Sequence, residues 1–171
     1  MKIVAALTLA RIGDASQAKA LADELRRDYP NNSLIKFYWL PTIDAAVQLQ
    51  ANNPSAVLME LETAAPYELG VPPPMQTGTL YPAYLRGQAY LLAHNGSAAV
   101  TEFQKLLGHR GIVLNFVTGA LAKLQIGRAY AISGDTAKAK AAYQEFLMLW
   151  KDADPDIPIL IAAKAEYTKL Q

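Results

Sequence analysis

The residues of this sequence that most resemble a metal-binding or catalytic site are three alternating aspartates near the C-terminus. Asp152, Asp154 and Asp156 in "DADPD" have the spacing of a calcium-binding loop. Ile157 stands where such a loop needs its sharp-turn glycine, and Ala163 stands where it needs its closing glutamate. The preferred interpretation is therefore a solvated turn that caps the last helix.

Other catalytic groups are no better supported. His94 and His109 are the two histidines, and neither has neighbours at metal-ligand spacing or an acid–base partner, so both are interpreted as structural or surface residues. The chain has no cysteine and no Gly-x-Ser-x-Gly motif, which leaves no recognisable activated nucleophile. We expect no catalytic residues, no metal and no cofactor, so the chain itself is not expected to be an enzyme.

Charge and hydropathy exclude two further classes of partner. Sixteen Lys and Arg residues face fifteen Asp and Glu residues in a chain of 171, so there is no basic footprint for nucleic acid. The isolated pairs Arg26-Arg27 and His109-Arg110 are interpreted as exposed helix ends. No apolar run approaches the roughly 18 residues of a membrane span, so we predict no membrane insertion by this segment.

The first residues, "MKIVAALTLARIGDASQA", allow two interpretations. Lys2 followed by a short apolar run has the form of a secretory signal, but Arg11 and Gly13 interrupt that run near its lower length limit. The alternative is a buried helix, which places Met1 inside the first helix of a repeat, as if an upstream region were missing. We expect a soluble cytoplasmic domain, or an extracytoplasmic one if a transmembrane segment precedes it in a parent chain.

An internal repeat carries most of the structural information. Residues 85–107 align with residues 125–147 at a single offset of 40 residues. Four pairs of like residues coincide: Gly87 and Gly127, Tyr90 and Tyr130, Ala99 and Ala139, Phe103 and Tyr143. The first copy is represented by Gly13, Ala18 and Pro30, and a weaker second copy has Asn52 and Val57 in the glycine and alanine places.

The residue types in the unit have physical reasons. Gly87 and Gly127 have no side chain and allow two helices to approach closely, and the aromatic residue one turn later is expected to fill the space between them. Gly134 can adopt the positive φ that ends a helix, and Asp135 can cap the next one. The segment "SGD" is therefore predicted to be a turn between two helices.

The pattern carried by Gly127, Tyr130, Gly134, Ala139 and Tyr143 resembles the tetratricopeptide repeat. The resemblance implies an all-α fold, a right-handed superhelical array of antiparallel helix pairs with about four repeats and a C-terminal capping helix. The observed spacing exceeds the usual ~34 residues, and we attribute the excess to an inserted connection, "HRGIVLNFVTG". The third unit departs from the pattern by placing His94 at the turn glycine.

A narrower resemblance concerns longer phrases such as "LYPAYLRGQAYL" and "GRAYAISGDTAKAKAAYQEFLMLWKDADPDIPIL". These are similar to the C-terminal helical-repeat region of bacterial eukaryotic-like serine/threonine kinases and related signalling regulators. The chain has no Gly-rich nucleotide loop, no His-Arg-Asp and no Asp-Phe-Gly motif, so the resemblance implies a region without kinase chemistry.

The predicted organisation is one domain over residues 1–171. Repeats are expected at about 1–32, 33–66, 80–111 and 118–152, with a loop at 67–79 and a capping helix at 157–170. The predicted helices are 2–12, 14–28, 33–51, 53–65, 80–93, 96–107, 118–133, 136–151 and 157–170. Pro41 is expected to cause a kink or a fresh start in the third of them.

Function is expected from the groove that stacked helix pairs create, which suits a protein or peptide partner or an upstream domain of the parent chain. The residues predicted to line the groove are Tyr81, Tyr84, Gln88, Leu91, Leu124, Arg128 and Ala131. The favoured function is a non-catalytic interaction or scaffold module, with recruitment or regulation as its role. The alternatives are a small-ligand sensor with a pocket beneath the 67–79 loop and a structural dimerisation role.

Overall fold

The computed structural model describes residues 2–70 and 80–171, and this part of the chain is all-helical, with no strand. The predicted all-α class is confirmed. The α-helices are α1 (Lys2–Ile12), α2 (Ala15–Asp28), α3 (Leu40–Gln50), α4 (Pro54–Glu60), α5 (Tyr81–Leu92), α6 (Gly96–Gly108), α7 (Arg110–Val113), α8 (Val117–Ile132), α9 (Thr136–Leu149) and α10 (Pro158–Thr168).

Two irregular segments extend the α-helices. A π-helical stretch, Ile35–Trp39, runs directly into α3, and a 3₁₀ stretch, Leu61–Tyr67, continues α4. The regular α-helix begins at Leu40, next to Pro41, which has no N–H to donate to an earlier turn. The connection "HRGIVLNFVTG" contains the short helix α7, which the sequence did not predict. Most of the predicted 67–79 loop, residues 71–79, lies outside the described residues.

Four turns between helices share one geometry. Each has a residue of positive φ, here called the turn residue: Gly13 (93°), Asn52 (54°), His94 (54°) and Gly134 (77°). The residue after each turn residue is Asp or Asn, and its backbone N–H donates to a carbonyl five residues earlier at 2.8–3.0 Å. This 6→1 bond is the signature of a Schellman motif, which satisfies a free carbonyl at the helix end.

The same Asp or Asn residues begin the next helix. The side chains of Asp14, Asn53, Asn95 and Asp135 each accept a hydrogen bond from the N–H three residues later, at 3.0–3.2 Å. Each carboxylate or amide thereby satisfies one free donor at the start of a helix. Helix end and helix start are built alike in all four turns, although the turn residue itself is glycine in only two of them.

Close contact between paired helices explains the glycines of the repeat. A Cβ atom on Gly87 would lie 2.6 Å from the Phe103 ring, and one on Gly127 would lie 2.9 Å from the Tyr143 ring. The aromatic residues that fill these spaces are therefore on the following helix. Tyr90 and Tyr130, expected to play that part, lie at the edge of the core and are half-buried.

Buried positions recur at fixed distances from each turn residue. The residue five positions later is fully buried in all four copies: Ala18, Val57, Ala99 and Ala139. The residue nine positions later is buried as well: Ala22, Leu61, Phe103 and Tyr143. Pro30 is exposed and follows α2, which ends at Asp28.

Helices pack in consecutive pairs, and the first members of successive pairs also pack against one another. We call α1, α3, α5 and α8 the first helices and α2, α4, α6 and α9 the second helices. Each first helix contacts the second helix that follows it, and the first helices contact one another in the order α1, α3, α5, α8. Three apolar clusters result, and they are joined because α5 contributes to the first two and α8 to the last two.

Within residues 2–70 and 80–171, no helix has both the length and the apolar character needed to span a bilayer.

Candidate partner-binding face

The seven residues predicted to line a groove all lie on α5 and α8, but the structure exposes only some of them. Tyr84 is 2 % exposed and Leu124 is 0 % exposed, so both side chains lie inside the packing and neither is available to a partner in this conformation. Tyr81, Gln88, Leu91, Arg128 and Ala131 are half-buried and retain surface.

Tyr84 is surrounded on several sides. Its ring lies edge-on to Phe103 with centroids 5.7 Å apart, and its hydroxyl accepts a hydrogen bond from Gln125 Nε2 at 3.2 Å. Burial raises the pKa of the hydroxyl, against the opposing effect of the Gln125 bond. The guanidinium of Arg11 lies 5.8 Å from the ring centroid, within the range of a cation–π contact. Tyr84 therefore connects α1, α5, α6 and α8.

Arg11, which was not among the predicted groove residues, joins three first helices. Its Nη1 donates to Gln88 Oε1 on α5, and its backbone carbonyl accepts from Gln50 Nε2 on α3 at 2.8 Å. No carboxylate lies within ion-pair distance of Arg11 among the described residues. The guanidinium is thus held by an amide and an aromatic ring, and its charge is not neutralised.

Arg128, unlike Arg11, forms an ion pair, and its partner lies on the last helix, α10. Its Nε and Nη2 atoms donate to the two carboxylate oxygens of Glu166 on α10, at 2.8 and 2.7 Å, which is a bidentate arrangement. The hydroxyl of Tyr143 donates to Glu166 Oε2 at 2.7 Å. Burial alone would raise the pKa of Glu166, but the hydrogen bonds from Arg128 and Tyr143 prevail and lower it.

A cleft of about 390 Å³ opens where α5, α8, α9 and α10 meet. Three of the residues predicted for the groove, Leu91, Arg128 and Ala131, line it. The remaining lining residues are Ile132, Tyr143, Glu166, Lys169 and Leu170. The wall is mostly apolar, and its charged residues are Arg128, Glu166 and Lys169.

Two further cavities lie away from the predicted groove residues. One of about 350 Å³ lies among α2, the π-helical stretch, α3 and Glu60, and one of about 260 Å³ lies among α6, α8 and α9. None of the three cavities is lined by residues 67–70 or by Leu80. The pocket expected beneath the 67–79 loop depends on residues 71–79, which lie outside the described residues.

A buried ionic cluster borders that loop. Arg86 of α5 donates to Glu102 Oε2 of α6 through Nε and Nη2 at 3.2 and 3.0 Å, and its Nη1 pairs with Glu68. Lys105 Nζ lies 2.8 Å from the other oxygen of Glu102. Burial opposes the charge of Arg86, yet the two carboxylates outweigh it and raise the pKa of the guanidinium. The cluster fastens the segment after α4 to α5 and α6.

The histidines and aspartates considered as catalytic or metal-binding residues lie at turns and helix ends. His94 is a turn residue, and His109 Nδ1 lies 2.8 Å from the Lys105 carbonyl at the end of α6. The aspartates of "DADPD" precede α10, but the N-cap residue is Ile157 and no side chain caps the helix, so the predicted capping role is wrong. No group of three or more His, Asp or Glu residues suited to a metal ion exists within the ranges 2–70 and 80–171.

Comparison with protein-family models, with curated proteins and with solved structures gives no match for this chain.

Proposed function

We propose that this chain is a non-catalytic, tetratricopeptide-like repeat module that binds a protein partner through the cleft between α5, α8 and α10. In this proposal the four helix pairs form a right-handed superhelical array, with α10 as its cap. The parent protein is a larger bacterial signalling protein of the serine/threonine-kinase type, and the module recruits a partner or regulates the upstream domain. Segments such as "LYPAYLRGQAYL" and "GRAYAISGDTAKAKAAYQEFLMLWKDADPDIPIL", which are similar to such proteins, support that origin.

The repeat part of the proposal is supported by the turns. Four turns with the same positive-φ residue, the same 6→1 bond and the same side-chain cap recur at intervals of about forty residues, as expected of a repeated helix–turn–helix unit. Contacts between successive first helices are those expected of a stack in which each unit buries its face against the next.

The observation that carries the binding role is the cleft itself. Leu91, Arg128 and Ala131 were selected from repeat phase alone, and they line one open cavity of about 390 Å³ with exposed apolar walls. Ile132, next to Ala131, is 39 % exposed. An open apolar concavity with a few fixed polar groups is the usual form of a binding site.

Site-specific photocrosslinking tests this assignment. A photoreactive phenylalanine analogue at Ala131 is expected to capture a protein from cells that make the full-length parent. The same analogue at Ala137, which is exposed on α9, is the matched control and is expected to capture much less. Equal capture at both positions, or capture that survives Leu91→Glu in a folded chain, would place the binding surface elsewhere.

A further inference from the structure

We infer that the cleft and the neighbouring Arg11 form one continuous surface for an acidic peptide segment that carries an apolar anchor residue. This inference rests on the proposed function and names the chemistry of its partner. The segment places its apolar side chain in the cleft and its carboxylates near Arg11 and Lys169. We call this surface the Arg11–Lys169 strip.

Hydrogen bonds and ring contacts beneath the surface hold Arg11 and Arg128 in place relative to each other, through Tyr84 and Gln125, which are 2 % and 4 % exposed. Arg11 contacts Gln88 and the ring of Tyr84, and the Tyr84 hydroxyl accepts from Gln125. Gln125 Oε1 accepts from Arg128 Nη1 at 3.4 Å. Arg128 and Lys169 then line the same cleft.

The α5 helix provides the connection at the surface, because Gln88 and Leu91 are both only half-buried. Gln88, which holds Arg11, and Leu91, which lines the cleft, are three residues apart on α5. Positions with this spacing lie on one face of a helix, about one turn from each other. A peptide that occupies the cleft therefore passes close to the Arg11 guanidinium.

The charges of the strip determine the partner's charge. Arg11 and Lys169 have no carboxylate within ion-pair distance in the described part of the chain, whereas Arg128 is taken by Glu166. The strip thus carries three cations and one carboxylate. Arg11 is also half-buried, so its charge has lost part of its hydration without gaining a counter-ion. A carboxylate from outside would supply that counter-ion.

The apolar part of the strip argues for a side-chain anchor. Leu91, Ala131 and Leu170 line the cleft, and Ile132 adds an exposed face beside them. Leucine, isoleucine or phenylalanine in the partner would remove this surface from water, and such burial is favourable in proportion to its area.

The strip is poorly suited to nucleic acid. Binding to a phosphate backbone depends on several cations arranged along a track. Only Arg11 and Lys169 are free of an ion pair here, and an apolar wall lies between them. Binding of single-stranded DNA in place of peptide would therefore overturn the inference.

Binding of defined peptides to the whole chain tests the strip. The probes are short, terminally blocked, fluorescently labelled peptides of four kinds: Glu-rich with leucine, Gln-rich with leucine, Lys-rich with leucine, and Glu-rich with leucine replaced by serine. Labelled single-stranded DNA serves as the nucleic-acid probe. Fluorescence anisotropy measures affinity at low and at raised salt.

The Glu-rich leucine peptide is expected to bind tightest and to weaken as salt is raised. The double variant Arg11→Gln, Lys169→Gln is expected to lose about three- to tenfold in affinity for that peptide, because each exposed charge pair contributes modestly. The matched control is Arg27→Gln, Lys164→Gln, which removes the same number of cations, both exposed and neither lining the cleft. It is expected to bind like the unaltered chain.

The outcomes separate this inference from the proposed function. If the Gln-rich or Lys-rich leucine peptide binds most tightly, and if Ala131→Glu abolishes that binding, the acidic-partner inference is overturned. The cleft then remains a binding site. An equal loss in the charge variant and its control would also overturn the inference. Binding of DNA but of no peptide, or no binding by any probe, would contradict both.

Discussion

Replacement of Gly87 by alanine tests whether close helix contact is what the repeat glycine provides. A Cβ atom at this position would lie 2.6 Å from two atoms of the Phe103 ring and 3.0 Å from a third. Real Cβ atoms essentially never show contacts shorter than 3.0 Å, and Phe103 is 0 % exposed, so its ring has no free space to enter. Either α5 and α6 must separate or the ring must leave its rotamer.

Two opposing terms set the magnitude. Forcing an extra methyl group into a packed core costs roughly 1–3 kcal/mol. Alanine in a helix interior gains about 0.8–1 kcal/mol over glycine. Because the contact of 2.6 Å is with a fully buried ring, we place the cost in the upper part of its range, at roughly 2–3 kcal/mol. The expected net effect of Gly87→Ala is then a loss of roughly 1–2 kcal/mol in the free energy of unfolding. For a chain of this length each kcal/mol lowers Tm by about 2–4 °C.

Urea unfolding followed by circular dichroism measures this loss, and Gly108→Ala is the matched control. Gly108 is also helical, but a Cβ there meets no atom within 4 Å, so the control is expected to be neutral or slightly stabilising. Combining Gly87→Ala with Phe103→Leu should recover part of the loss, because the smaller side chain leaves room for the new methyl group. A Gly87→Ala chain as stable as the parent, or strictly additive effects in the double variant, would refute the close-contact argument.

Three further predictions concern a turn, a buried charge and a titrating group. Gly134→Ala should lower the free energy of unfolding by about 1–2 kcal/mol, and His94→Gly should raise it by up to about 1 kcal/mol, because both turn residues have a left-handed backbone. Urea unfolding measures both values, and equal effects of the same sign would contradict this reasoning. Arg86→Met should cost about 3–5 kcal/mol, because it leaves the buried carboxylate of Glu68 without a cation and Glu102 with Lys105 alone. A neutral result in calorimetry would show that Glu68 is hydrated. Glu166→Gln should destabilise the chain near neutral pH. Because the pKa of Glu166 in the folded chain lies below its usual 4.5, its contribution to stability is complete above pH 4.5 and disappears as pH falls through the lowered pKa. A difference in Tm between Glu166→Gln and the unaltered chain that persists in strong acid would contradict the assigned bonds.

The local structure of this chain could be predicted because it depends on local chemistry. All nine predicted helices have counterparts whose ends agree within two residues, when the π-helical and 3₁₀ stretches are counted with α3 and α4. Glycine or asparagine followed by Asp or Asn specifies three of the four turns without help from distant residues. The fourth turn, at His94, was located by its alignment with Gly134. The helix α7 was missed because "RGIV" has no apolar period and only four residues. Pro41 indicated an irregular point in the third predicted helix, but the sequence did not indicate that the stretch before it would be π-helical.

Contacts between distant residues were not predictable in the same way. Phase alone placed Tyr84 and Leu124 in the groove, but the stacking of α1, α8 and α10 against their surroundings buried both. The same stacking brought Arg11 to Gln88, which is 77 positions away, and Arg128 to Glu166, which is 38 positions away. The spacing of residues along one helix contains no information about these partners, because they are selected by the packing of whole helices.

The two kinds of cation on the strip have different consequences for binding. A carboxylate that approaches Arg128 must compete with Glu166, which already offers both oxygens and also holds Tyr143. Displacing it would loosen α10 from α8 and α9, so the gain in binding would be offset by a loss in the packing of the last helix. Arg11 and Lys169 have no such pair to break. A partner that binds through these two residues keeps the contacts of the fold, and for this reason they are the positions at which its acidic groups are expected.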